Sequence, residues 1–225
     1  RPGADEVSVD EELERVIPVI DAVSDAVSIP VSVDTRKPEV MQAAVEAGAG
    51  LVNDVNALQA DGAVGMVAKL AVPVCLMHMQ GNPGTMQDNP EYTDVVSEVG
   101  DFLRSRADAC IAAGIKPGRI LLDPGFGFGK QVEHNLLLLQ QLHRLVELGY
   151  PVLAGLSRKS LIGKVLGLPV DKRLYPGLAL AVIAVWQGAR IIRTHDVSAT
   201  REALLMCQAV LSVAPVPLYE QAETS

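Results

Sequence analysis

Two carboxylates and an amide stand where short apolar runs of the sequence end. Asp34, Asn53 and Asp123 each come directly after such a run. A carboxylate can accept two parallel hydrogen bonds from an amino-pyrimidine edge, so this set suits a heterocycle with adjacent N–H donors. The alternative is that Asp34 and Asp54 only cap the helices that follow their strands, which is a common structural role.

Two basic segments supply the opposite charge. Residues 157–160 read Ser-Arg-Lys-Ser, and residues 193–195 read Arg-Thr-His. Lysine and arginine beside the amino terminus of a helix form a natural pocket for phosphate or pyrophosphate. The alternative is that both segments are solvated basic residues at helix starts.

A glycine-rich loop follows the second carboxylate. After Asp123 the sequence reads Pro-Gly-Phe-Gly-Phe-Gly-Lys, which places three glycines in five positions before Lys130. Glycine lets the backbone approach a ligand closely or take positive φ values. The loop is not a P-loop, because its spacing is one residue short and Gln131 replaces the required Ser or Thr. The glycines also fail the dinucleotide fingerprint. A strand-end turn with an exposed aspartate is the structural alternative.

Composition favours a single α/β domain over residues 1–225. The chain has 225 residues and 49% hydrophobic content, with no apolar segment long enough for a membrane span. No charged-then-apolar stretch suggests a signal peptide, so we expect none. A net charge of −8 argues against broad nucleic-acid binding. The three cysteines lie in apolar runs, so we expect small core residues in a reducing, cytoplasmic compartment. The histidines lack the spacing of a metal hydrolase.

Hydrophobic patterning predicts a helix and then six strand–helix units. The predicted strands cover 29–33, 51–52, 72–77, 120–122, 152–156 and 190–193. The predicted helices begin at the Ser8–Glu11 capping box, with a bend or break at Pro18, and then cover about 38–47, 62–70, 91–113, 134–148, 178–187 and 198–211.

Strands that alternate with helices require a parallel sheet covered by helices, either an open doubly wound sheet or a closed eight-stranded (β/α)8 TIM barrel. All six predicted strands end in polar or ionisable residues, whereas an open sheet would concentrate them at one switch point. We therefore favour the barrel. Six strands cannot close it, so we expect two further β/α units before Arg1; the chain without them is expected to give no stable barrel and little activity.

The chain resembles the dihydropteroate synthases, a family of pterin-binding TIM barrels. The matching stretches follow the family order along nearly the whole chain. They are residues 1–4, 32–35, 53–55, 77–81, 123–130, 157–160 and 193–196.

The resemblance implies a set of site residues. The pterin would be bound by Asp34, Asn53, Met77, Asp123, Gly155 and Lys159. Pyrophosphate would lie beside Asn53, Arg193 and His195. The p-aminobenzoate would lie beside Arg1, Pro2, Phe128, Lys159 and Ser160. The expected catalytic residues are Asp123, Lys159, Arg193 and His195.

The resemblance also implies a reaction. The family joins 6-hydroxymethyl-7,8-dihydropterin pyrophosphate to p-aminobenzoate and releases pyrophosphate with the help of Mg²⁺, as a homodimer that sulfonamides target. An asparagine that contributes to metal binding in the family would lie before Arg1, so we expect no metal ligand in this chain. The alternatives are a pterin-binding methyltransferase, which would not need the basic 157–160 segment, and a catalytically silent pterin-binding module.

Overall fold

The computed structural model describes residues 7–81 and 90–213 and confirms six strands alternating with helices. The strands are β1 Val31–Asp34, β2 Ala49–Asp54, β3 Val74–Met77, β4 Ile120–Asp123, β5 Leu153–Ala154 and β6 Ile191–Ile192. The helices are α1 Val9–Ala26, α2 Pro38–Glu46, α3 Ala63–Leu70, α4 Val95–Ala112, α5 Val132–Gln140, α6 His143–Val146, α7 Ser160–Leu166, α8 Leu174–Trp186 and α9 Val197–Leu211.

The strands are parallel and neighbour one another in chain order. Strands β1 to β4 form one ladder and β5 pairs with β6. A single bridge between Leu122 and Val152 joins the two groups, with the Leu122 amide donating to Pro151 O at 3.0 Å. A doubly wound sheet reverses its strand order at a switch point, whereas this order runs one way, as in a barrel.

The main core fills the space between the sheet and the helices around it. A second, smaller cluster lies on the opposite face of the sheet, where the inside of a barrel would be. It consists of Leu51, Cys75, Leu121, Leu153 and Ile191. The three cysteines are buried and free, which confirms their prediction as core residues.

Helix α1 confirms its predicted start, and of the bend or break predicted at Pro18 it excludes the break. The Ser8 side chain accepts from the Glu11 amide at 3.2 Å, as a capping box requires. The helix continues through Pro18 without a break. Proline removes one hydrogen bond of the helix, but the turns on either side are held because Ile17 and Ile20 pack on the core.

Three other helices differ from their predicted bounds. Helix α8 begins at Leu174, earlier than the predicted 178, because Pro176 lies in its first turn, where the missing N–H breaks no helical hydrogen bond. Helix α4 begins at Val95, later than predicted, because the Asp94 side chain accepts from the amides of Val96 and Ser97 and so caps it there. The predicted helix 134–148 is two helices, since the chain leaves helical geometry at Gln141, next to the fully buried Leu142.

Candidate active site

The predicted site residues form a tier directly above the smaller apolar cluster. Side chains two residues apart in a strand point to the same face. Two residues beyond the five members of that cluster lie Asn53, Met77, Asp123, Gly155 and Arg193. These five residues therefore lie on the inner face of the sheet, at the carboxyl ends of five neighbouring strands.

The first and last strands meet above this tier. Arg193 Nη2 donates to Asp34 Oδ2 at 3.0 Å, so the ends of β6 and β1 lie within reach of each other. Both side chains are well exposed, at 61% and 41%. Asp34 also pairs in register with Asn53 of β2. The sheet is thus curved enough for all six strand ends to surround one mouth.

Asn53 carries an unsatisfied donor. The residue is 5% exposed, and its Nδ2 atom has no hydrogen-bond partner among residues 7–81 and 90–213. A buried amide group without a partner is costly, so such groups mark places where a ligand completes the hydrogen bonding.

Asp123 is held in one orientation at the end of β4. Its Oδ1 accepts from the Gly125 amide at 2.7 Å. Burial raises the pKa of this carboxyl, opposed by the ammonium of Lys159, the Gly125 N–H, Lys130 and Arg193. Asp123 is therefore a buried acceptor surrounded by cations, poised to bind N–H donors.

The glycine-rich loop after Asp123 confirms the expected backbone conformation. Gly125, Gly127 and Gly129 all have positive φ, at 65°, 79° and 60°. A Cβ at Gly125 would lie 1.9 Å from the carbonyl oxygen of His78, and one at Gly129 would lie 2.4 Å from that of Gln80. Only glycine therefore lets this loop pack directly on the end of β3.

Lys159 connects this loop to the segment after β5. Its Nζ donates to the Phe126 carbonyl and lies 4.7 Å from the centre of the Phe128 ring. Burial lowers the pKa of Lys159 to about 8; Asp123 opposes this shift and Arg193 adds to it. An ammonium over an aromatic face is attracted by the ring quadrupole, so Phe128 is held at the mouth.

The segments after β5 and β6 are linked to each other. Ser157 Oγ accepts from the His195 amide at 3.2 Å and lies 3.1 Å from His195 Nδ1. Arg158, at φ 56°, forms a two-pronged pair with Asp196, with bonds of 3.1 and 2.5 Å. The arrangement brings the hydroxyl, imidazole and Arg193 guanidinium of the two predicted basic segments to one side of the mouth.

Comparison with known proteins identifies the family of the chain. A family profile described as pterin binding enzyme matches residues 1–195. The chain belongs to the pterin-binding enzyme family. It is 53% identical over 209 residues to the dihydropteroate synthase of Haemophilus influenzae, covering 93% of this chain and 76% of that protein. It is 49% identical over 220 residues to the Escherichia coli enzyme, covering 98% and 78%.

Solved structures of dihydropteroate synthases share the fold. The Yersinia pestis enzyme in complex with a sulfonamide drug matches with a TM-score of 0.92 and 47% identity, covering 95% of this chain and 78% of that chain. The Xanthomonas albilineans enzyme with 4-aminobenzoic acid matches at 0.90 and 52%, covering 95% and 77%. These likenesses confirm the predicted TIM-barrel class.

The structure brings most of the predicted residues of this pterin-binding enzyme together. Met77 is buried in the inner tier and pairs in register with Asp123, and a Cβ at Gly155 would lie 3.8 Å from that of Arg193. Ser160 is the first residue of α7 and is exposed. Arg1 and Pro2, predicted at the p-aminobenzoate, lie outside the described residues.

The helix-capping alternative is wrong for both aspartates, because α2 and α3 each begin without a side-chain cap. Asp54 is buried, and its carboxylate accepts from the amides of Asn56 and Leu58 at 2.7 and 2.8 Å, which shapes the loop before α3. Burial raises the pKa of Asp54 to about 6. Asp34 instead pairs with Arg193, and α2 begins without a side-chain cap.

Three supporting residues were not predicted from the sequence. Asn135 Oδ1 accepts from the Gly127 amide at 2.7 Å. Arg173 donates to the carbonyls of Arg158 and Lys159 at 3.0 and 3.3 Å. Lys130 is buried behind the glycine-rich loop. Each binds backbone atoms of a loop whose conformation the sequence does not specify, so no local sequence pattern predicts these contacts.

The described residues do not by themselves assemble a metal site. Within 7–81 and 90–213, no three His, Cys, Asp or Glu side chains are grouped so that they could hold an ion. The described helices also include none that is long and apolar enough to span a bilayer.

Proposed function

We propose that the protein catalyses the dihydropteroate synthase reaction, joining 6-hydroxymethyl-7,8-dihydropterin pyrophosphate to p-aminobenzoate. The observation that carries this proposal is the convergence of two carboxylates, an unsatisfied amide and two cations at one mouth. Dihydropteroate synthases about 50% identical to this chain support it, as does a related Xanthomonas albilineans structure that contains 7,8-dihydropteroate.

Asp34, Asn53 and Asp123, together with Met77, Gly155 and Lys159, bind the pterin in this proposal. Asp123 is a fixed carboxylate whose second oxygen is directed by the bond that Oδ1 makes to Gly125. Such a group accepts parallel hydrogen bonds from the amino-pyrimidine edge of the ring. The free Nδ2 donor of Asn53 then gains an acceptor from a ring atom or from the phosphate chain.

Arg193 and His195 bind the pyrophosphate, beside Asn53. Positive charge on the leaving oxygens stabilises the charge that develops as the bond breaks. The C–O bond to pyrophosphate breaks, the arylamine nitrogen forms a C–N bond to the exocyclic carbon, and the nitrogen then loses a proton to water. The negative charge of Asp123 favours the positive charge that develops on the pterin. No activated nucleophile of the protein is required, because the amine only needs to be positioned.

Phe128, Lys159 and Ser160 flank the p-aminobenzoate, with Arg1 and Pro2 proposed to complete its site. The Phe128 ring is held by the cation–π contact to Lys159. The exposed Ser160 hydroxyl and the ammonium of Lys159 suit the carboxylate of this substrate.

Alanine variants of Lys159 and Arg193 test the site. Each removes a cation from the mouth, so we expect kcat/KM to fall at least about a hundredfold while the fold is retained. Turnover of both substrates is measured with Mg²⁺ and with EDTA, using the protein expressed from its complete gene. We propose that turnover depends on Mg²⁺, so it should be lost with EDTA.

Two matched controls accompany these variants. Arg190→Ala removes an exposed arginine at the opposite end of β6, and Lys164→Ala removes an exposed lysine one turn along α7. Both should keep wild-type turnover. Unchanged activity in the Lys159 and Arg193 variants would remove the site assignment. Pterin binding without product in the wild type would favour the silent module, and methyl transfer would favour the methyltransferase.

We further propose a homodimer in the cytoplasm. Helices α8 and α9 support the dimer, because they expose the apolar side chains of Ile183, Trp186, Leu205, Met206 and Val210. Three free thiols support a reducing compartment.

A further inference from the structure

The side-chain amine of Lys130 is buried behind the glycine-rich loop. Its residue is 2% exposed. The Nζ atom lies 2.9 Å from His78 Nδ1, 3.0 Å from Phe128 O, 3.1 Å from Gly125 O and 3.4 Å from His78 O. An ammonium has three donors, and all of them have acceptors here. Burial of a charge is unfavourable, so an apolar side chain would suit this place better if it served packing alone.

The two loop carbonyls that Lys130 binds belong to residues beside the proposed substrate contacts. Lys130 binds the carbonyl of Gly125, and the amide of the same residue donates to Asp123 Oδ1, so holding Gly125 in place also orients that carboxylate. The Phe128 ring is in contact with Lys159 at the mouth. One amine thus sets the position of both an acceptor for the pterin and a ring beside the p-aminobenzoate.

His78 anchors Lys130 to the end of β3. Its backbone amide donates to Asp123 O at 3.0 Å, and its ring packs edge-on against Phe102 with 5.0 Å between the ring centres. Burial, assisted by the charge of Lys130, lowers the pKa of His78 to about 3. The ring is therefore neutral near neutral pH, and Nδ1 can accept a hydrogen bond from Lys130.

We propose that Lys130, anchored by His78, is a positioning residue that holds the 123–128 loop so that Asp123 and Phe128 face the two substrates. The inference rests on the proposed function and extends it to a side chain that need not touch either substrate. Lys130 acts through Asp123, so its effect is expected to disappear when the Asp123 carboxylate is removed.

The protonation of Lys130 gives a second way to test its role, through the pH dependence of pterin binding. Burial lowers the pKa of its amine to about 7, while Asp123 opposes this shift and Lys159 adds to it. The charged or titratable groups that face it are His78 from β3, Asp123 from β4 and Lys159 from the segment after β5. As pH rises through 7 the amine loses one donor and the loop loses a contact.

A double-mutant cycle tests the proposal. Lys130→Met keeps the side-chain length and removes the donors, and Asp123→Asn removes the carboxylate that Lys130 positions. Loss of a hydrogen bond to a charged group corresponds to at least about a tenfold effect, so we expect the Kd of 6-hydroxymethylpterin to rise by that factor in Lys130→Met. In the Asp123→Asn background the same change should have little further effect.

Three further measurements complete the experiment. Lys116→Met is the control, since it removes an exposed lysine just before β4 at the opposite end of the sheet. The KM for p-aminobenzoate should also rise in Lys130→Met, because Phe128 is no longer held. Between pH 6 and 7.5 the wild-type pterin affinity should fall by a few-fold more than that of Lys130→Met.

The outcomes separate this proposal from the proposed function. Wild-type protein without pterin binding or turnover would overturn the proposed function itself. An active wild type with equal pterin affinity in Lys130→Met, or additive losses in the cycle, would overturn only the role of Lys130. If Lys130→Met does not fold, His78→Leu replaces it in the cycle, because it removes the anchor and leaves the two carbonyl acceptors in place.

Discussion

Buried ionisable side chains are concentrated directly behind the proposed substrate mouth. Lys130, Asp123 and His78 are exposed by only a few per cent, and they contact one another or the same short loop. Their pKa values are shifted by burial in the direction that favours the neutral form. Such shifts link the titration of these groups to the stability of the fold.

His78 should make the protein less stable in mild acid. Its folded pKa of about 3 lies below the value of 6.5 expected when unfolded. Between these values the unfolded chain binds a proton that the folded chain does not. The free energy of unfolding should therefore fall with decreasing pH, by up to about 1.4 kcal/mol per pH unit from this group.

Urea denaturation between pH 7 and pH 4 measures this effect. His78→Gln keeps an acceptor that does not titrate, so its stability should fall less steeply than that of the wild type. His143→Gln, at an exposed histidine of α6, serves as the control. The same pH dependence in wild type and His78→Gln would contradict the assignment.

Sequence position predicted that the candidate site residues lie together at strand ends, but it did not predict the residues that support them. Asp34, Asn53 and Asp123 follow apolar runs, and parallel strands bring such residues to one edge. Lys130 could not be predicted as buried, because lysine is rarely buried and its acceptors are mostly backbone carbonyls of a loop conformation that the sequence does not specify. Asp54 and Asp34 occupy similar sequence positions, and only the contacts distinguish a carboxylate that holds a loop from one that forms an ion pair.

The loop between β2 and α3 depends on a helix that packs across it. Ala57 and Leu58 have positive φ angles of 50° and 57°, which non-glycine residues rarely adopt. Arg106 of α4 donates to both of their carbonyls, at 2.8 and 3.0 Å. The arginine holds a strained backbone that begins just after Asn53.

Arg106→Met should therefore lower the free energy of unfolding by roughly 2–3 kcal/mol, since two hydrogen bonds from a charged donor are lost. Chemical denaturation measures the change. Arg104→Met, at an exposed position of the same helix, should change stability very little. Equal stability of the two variants would mean that the loop holds its conformation without Arg106.

Element type and order could be predicted well because each strand is a short apolar run with a helix after it. Boundaries were predicted where a local signal exists, such as Ser8 with Glu11 or Pro38 at the start of α2. The turn at Gln141 has no glycine or proline to mark it, and the next residue, Leu142, is fully buried in the core. Where no local sequence signal marks a helix boundary, tertiary packing therefore determines it.

At the scale of the whole molecule, α8 and α9 expose several large apolar side chains on the described surface. Trp186 and Met206 are 58% and 65% exposed. Exposed apolar patches of this kind mark interaction surfaces.

Trp186→Glu should shift the proposed homodimer toward monomer, because a charge would be buried at the contact. Sedimentation equilibrium measures the change, with Tyr175→Glu on the first turn of α8 as a second variant that maps the extent of the contact. A wild-type protein that is monomeric across the micromolar range would rule the dimer out.

The ion pair between Asp34 and Arg193 joins the group proposed to bind the pterin to the group proposed to bind the pyrophosphate. Separating it is inexpensive, since exposed pairs contribute about 0–1 kcal/mol. In this proposal, free diphosphate that binds Arg193 leaves Asp34 without its cation. A free pterin ring that binds Asp34 leaves Arg193 without its anion. A ligand that carries ring and diphosphate on one skeleton satisfies both at once, so the intact conjugate is favoured over either fragment by more than their separate contacts provide.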